Sequence, residues 1–70
     1  MKILVEEKYI ITRTKRDYEV VFEENVEKLD MQEKMKLYNQ MLYACNILNK
    51  ATEDYYALRI IFIEVEKVGE

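Results

Sequence analysis

Apolar and polar positions alternate along three stretches of this 70-residue chain and recur at helical spacing along a fourth. In residues 3–13, Ile3, Val5, Tyr9 and Ile11 share one parity, and Leu4, Glu6, Lys8, Ile10 and Thr12 share the other. That alternation predicts a strand. Glu7 falls on the apolar parity, so a bulge or break is expected near residues 6–8. Residues 18–23 predict a second strand, with Tyr18, Val20 and Phe22 alternating with Glu19, Val21 and Glu23. The intervening "TKRD" suits a tight hairpin turn. Setting Thr14 opposite Asp17 places Ile11 against Val20 and Tyr9 against Phe22 on one face. Thr12 then meets Glu19, and Lys8 meets Glu23, on the other. Both faces gain favourable cross-strand pairs in this register.

The middle of the chain predicts one long helix, about residues 30–50. Asp30 with Glu33 three positions later forms a capping box, and Asn25 offers an earlier start. Met31, Met35, Tyr38, Met41, Leu42, Cys45 and Leu48 recur at three- and four-residue spacing. Tyr43 and Ile47 lie on the otherwise polar side as a small second apolar patch. Residues 55–67, rich in Ile, Tyr, Phe and Val, predict a third strand. The expected fold is α+β: ββαβ in a single small domain. A right-handed crossover gives a three-stranded antiparallel sheet of order 2-1-3, with the helix packed on one face.

One stretch of the third strand, "RIIFIEVE", breaks the alternation. Its second half alternates Ile63 and Val65 with Glu64 and Glu66, but Ile60, Ile61, Phe62 and Ile63 put apolar side chains on both faces. A single helix covers only one of them. The expectation is that Ile61, Ile63 and Val65 face the helix, while Ile60 and Phe62 join Ile10 and Val21 on the uncovered side. Burying such a side chain is worth about 1.5–3 kcal/mol, so eight in a dimer give roughly 12–24 kcal/mol as an upper limit. Association costs ~4–15 kcal/mol, which makes a homodimer energetically credible. Tyr43 and Ile47 offer a second route to self-association by helix pairing.

Composition narrows the chemistry. There is no Pro, His, Trp or Ser, and one Gly. Without His or Ser the commonest triads and proton shuttles are absent. Cys45, the one cysteine, sits on the apolar helix face as a packed thiol and fits a reducing compartment. A zinc ligand set and a glycine-rich phosphate loop are both lacking. Glu6 with Lys8 makes an E-x-K spacing, and Glu64 and Glu66 share a strand face; these read as solvated charges. No enzyme activity, cofactor or metal is expected. The opening apolar run, residues 3–5, is too short for a leader or a membrane span, so a cytoplasmic location is expected, the host cytoplasm if the chain is viral.

Charge suggests two further surfaces. Arg13, Lys15 and Arg16 cluster at the hairpin tip, where a basic ribbon can grip phosphates. The net charge of −3 argues against a broad nucleic-acid footprint. Asp17, Glu19, Glu23, Glu24 and Glu27 form an acidic stretch suited to a basic partner protein. Richness in Ile, Lys, Glu, Tyr and Asn points to an AT-rich genome, as in a bacteriophage or mobile element. The leading expectation is therefore a small homodimeric protein-binding module, an inhibitor of a host protein of the anti-defence type. A nucleic-acid-binding regulator is the alternative. A small-ligand sequestering protein, using Tyr18, Tyr38, Tyr55 and Tyr56, is a further one.

Overall fold

The structure, a computed structural model, describes residues 2–67, with side chains for residues 4–66. Strand β1 (Lys2–Arg13) leads through a 3-10 turn (Thr14–Arg16) into β2 (Glu19–Asn25). Helix α1 (Met31–Ala51) and strand β3 (Tyr56–Lys67) follow. The sheet is antiparallel with order β2-β1-β3 and the helix on one face, the ββαβ arrangement expected from the pattern.

The helix starts where its sequence says it must. Asp30 accepts from the Glu33 N–H at 2.9 Å, and the Glu33 carboxylate accepts from the Asp30 N–H in return. Two backbone donors that the first turn would orphan are thereby satisfied. The far end closes without glycine: both the N–H and the hydroxyl of Thr52 donate to the Leu48 carbonyl. Tyr9, Ile11, Val26, Met41 and Cys45 form the buried core, ringed by Leu29, Leu37, Tyr38, Tyr56 and Leu58. Val26, fully buried, lies just past β2. Its N–H donates to the Glu7 carbonyl, which pins the loop that leads into the helix.

Three expectations are corrected. The first is the hairpin register. Ile11 pairs with Phe22 and Tyr9 with Glu24, not with Val20 and Phe22; Thr12 faces Val20 and Lys8 faces Asn25. Two residues in the left-handed region, Asp17 (φ 54°) and Tyr18 (φ 58°), lengthen the turn. A β-bulge between the Ile11 and Thr12 pairs then adds Val21 as an extra residue. The bulge turns Val21 to the helix side, beside Phe22. Lys8 and Glu23 still meet, as a diagonal ion pair at 3.6 Å.

The second correction concerns β3. Tyr9 sits opposite Ile60 and Glu7 opposite Phe62. Directly opposed residues share a face, so Ile60 and Phe62 lie on the helix side with Tyr56 and Leu58. Ile61, Ile63 and Val65 point away from the helix, with Leu4 and Ile10. The third concerns Glu7. β1 and β3 pair in unbroken register through residues 6–8. Glu7 faces the helix because Lys34 meets it there at 2.6 Å.

The result is a thin slab, 48 × 30 × 11 Å. Its radius of gyration is 14.5 Å, against ~11 Å for a compact chain of this length. Its accessible surface is 5566 Å², about 900 Å² more than the size scaling of monomeric proteins gives for this mass.

Candidate functional site

The hairpin tip carries a polar latch. The Arg13 guanidinium bonds Asp54 at 3.1 Å and Glu19 at 3.3 Å, and lies 5.9 Å from the Tyr56 ring centre. Lys15 donates to the Glu53 carbonyl at 2.6 Å, and the Thr14 N–H to the Tyr55 carbonyl. Together they tie the tip to the connection between α1 and β3. Two of the three basic residues proposed to grip phosphate are thus engaged within the chain. Arg16 makes no ion pair or side-chain hydrogen bond among the described residues.

Asp54 gives the latch a pH dependence. Burial works to raise its pKa, but the Arg13 hydrogen bond, the Tyr55 N–H and the Arg13 charge outweigh it, so the carboxyl sits below its ordinary 3.8. The unfolded chain therefore binds this proton more readily than the folded one. The stabilisation is full above about pH 4 and is lost as pH falls through the depressed folded value. Asp54→Asn should lower the melting temperature at pH 7, with the gap from wild type closing toward pH 2 in a thermal-melt series.

The acidic residues line the β2 margin but do not converge. Asp17 is in the turn and Glu19 is held by Arg13. Glu23 lies on the open face with Lys8, while Glu24, opposite Tyr9, lies on the helix side. Glu27 follows in the loop, its N–H bonded to the Asn25 side chain.

Apolar side chains are left uncovered on both sides of the sheet. The helix packs on β3 and β1 and leaves β2 open. Val21 and Phe22 consequently border an apolar groove of about 510 Å³, walled by Leu37, Ala44 and Leu48 of the helix. On the other flank of the sheet, Ile60 is 45% and Phe62 67% exposed. The open face carries Leu4, Ile63 and Val20, all exposed. Ile10, by contrast, is only 8% exposed there. Tyr18, Val20 and Arg59 surround it and Thr12, with Arg59 5.2 Å from the Tyr18 ring centre. The Thr12 hydroxyl is buried beneath them with no partner among the described residues. Tyr43 and Ile47 are exposed on the back of the helix, away from the sheet.

The six residues considered for self-association thus occupy three places. Ile60, Phe62 and Val21 are on the helix side, Ile10 is on the open face, and Tyr43 with Ile47 is behind the helix. The aromatic residues are likewise divided: Tyr18 is on the open side, and Tyr38 packs edge-on against Tyr9, 5.8 Å away, on the helix side. Glu6 lies on the face opposite Glu64 and Glu66. Cys45 is buried, and burial pushes its thiol up, away from the reactive thiolate. Among the described residues no helix is long and apolar enough to cross a membrane. Comparison with protein-family models, curated proteins and solved structures finds no match.

Proposed function

We propose that the chain is a small, non-enzymatic protein-binding module that works as a homodimer. The observation that carries this reading is the surplus of exposed surface. A stable interface buries about 800 Å² per partner, close to the ~900 Å² by which this slab exceeds a compact monomer. Much of what it exposes is apolar, on two sides of one sheet. Such a surface on a solitary chain invites aggregation, whereas a partner turns it into a second core.

Within this class, an inhibitor carried by a phage or mobile element and aimed at a host protein suits the composition. Asp17, Glu24 and Glu27 then supply the charge that steers a basic partner. A nucleic-acid-binding role draws less support, because Arg13 and Lys15 are already engaged. Sedimentation of the purified chain at micromolar concentration should give twice the 8.5 kDa chain mass. A mass of one chain up to 100 µM would refute the homodimer.

A further inference from the structure

We infer that the dimer is built edge to edge, with β3 of one copy pairing antiparallel to β3 of the other about a two-fold axis perpendicular to the sheet. This rests on the self-association reading above and adds the surface, the geometry and the register.

The sheet order leaves two edges, β2 and β3. Exposed edges are templates for further pairing, and proteins that stay monomeric blunt them with shortness, bulges and charge. β2 has all three: seven residues, a bulge, and Glu19, Glu23 and Glu24. β3 is twelve residues long, and its pairing with β1 runs its whole length without a bulge. Its centre, residues 60–63, has no charge. Every second residue there turns its N–H and C=O to the free side.

The pairing geometry accounts for the broken alternation. A two-fold perpendicular to the sheet keeps both helices on the same side, so each residue opposes one of its own parity. Centred on Ile61, the register sets Ile61 against its own copy and Ile60 against Phe62 on the helix side. Ile63 lies beside them on the open side. A strand at such an axis meets apolar neighbours on both faces, for as many residues as the partner lies alongside. A sandwich of open faces would need only one parity. The apolar run stops at Arg59 and Glu64, where this register opposes Ile63 and Leu58 and brings no like charges together.

The helix contributes as well. The groove beside β2 occupies the flank with Leu37 and Ala44. At 100° per residue the opposite flank, over β3, carries Met35 and Leu42, both exposed. The same axis turns these flanks toward each other above Ile60 and Phe62. One operation thus covers a strand edge, a sheet margin and a helix flank.

The test combines cysteine scanning with sedimentation. Cys45 stays in place, since it is buried. Under mild oxidation Ile61→Cys should form an interchain disulfide in most of the protein, because self-opposed residues lie ~5.5 Å apart at Cα or closer. Leu4→Cys, on the open face, and Ile47→Cys, on the helix back, should not. Ile60→Lys with Phe62→Lys should halve the sedimenting mass while keeping the circular dichroism of the folded chain. If that variant unfolds, the Ile61→Cys result decides. A dimer that cross-links at Leu4→Cys or Ile47→Cys and not at Ile61→Cys overturns the edge-to-edge arrangement and leaves self-association standing. A wild-type chain that stays monomeric overturns both.

Discussion

Replacing Tyr9 by alanine should cost about 3–5 kcal/mol of folding stability, the range seen when a large aromatic leaves a core. Tyr9 is 5% exposed at the middle of the central strand, in a core of five buried side chains. Its ring meets Tyr38 edge-on, with planes 83° apart, the geometry that the ring quadrupoles favour. Ile60 lies opposite it on β3 and Glu24 on β2, so the cavity would open beneath the helix where all three strands come together. A domain of this length is held by only ~4–10 kcal/mol, so the loss takes about a third of the total or more. Tyr9→Phe keeps the ring and should retain most of the stability. Tyr38→Ala, at a half-buried position, should cost less than Tyr9→Ala, and the double-mutant cycle should show a coupling of about 0.5–1.5 kcal/mol. Urea titrations at one fixed protein concentration measure these differences, since a dimer's midpoint moves with concentration. A loss below about 1 kcal/mol for Tyr9→Ala would mean that this core does not hold the sheet to the helix.

The parts of the fold legible in the sequence are those written in local patterns. The Asp30–Glu33 box marks the helix start, helical spacing picks out Tyr38, Met41, Cys45 and Leu48, and the lengths of the first and third strands make them neighbours. The parts that were not legible depend on residues far apart in the chain. Glu7 looks misplaced until Lys34, 27 positions away, is set beside it. Val26 reads as a loop residue, yet the turn into the helix carries it to the centre of the core. The hairpin register depends on left-handed conformations at Asp17 and Tyr18, residues that do not announce them as glycine would. The parity of β3 is ambiguous in the sequence because residues 60–63 satisfy either choice. What decides it lies at the start of the strand, where Asn49 holds the Tyr56 backbone and Tyr56 and Leu58 pack beneath the helix. The candidate surfaces follow the same division. Their residue types were visible in the sequence. That Ile60 and Phe62 share the helix side, away from Ile10, and that Arg13 is held by Asp54, required the folded arrangement.

The decision at Tyr56 leads to the second large effect: Asn49→Ala should cost about 2–3 kcal/mol and free the start of β3. Asn49 lies in the last helical turn, and its side chain holds both backbone groups of Tyr56. Its Nδ2 donates to the Tyr56 carbonyl at 3.0 Å, and its Oδ1 accepts from the Tyr56 N–H. The amide thus copies the paired bonds that a neighbouring strand would offer, at the point where the chain leaves the helix for the sheet. Removing it leaves a donor and an acceptor unpaired in a half-buried place, and each such group costs ~1–3 kcal/mol, moderated here by partial access to water. Asn49→Asp offers no rescue, because a carboxylate still accepts from the N–H but repels the carbonyl. Native-state hydrogen exchange separates this from a general loosening of the fold. The Tyr56 amide should lose its protection in Asn49→Ala by far more than the global destabilisation explains, while amides at the centre of β1 follow the global change alone. If the Tyr56 amide were as protected in Asn49→Ala as in wild type, the clamp would not be what sets the phase of β3. The placement of Ile60 and Phe62 on the helix side would then have to come from the packing of Tyr56 and Leu58.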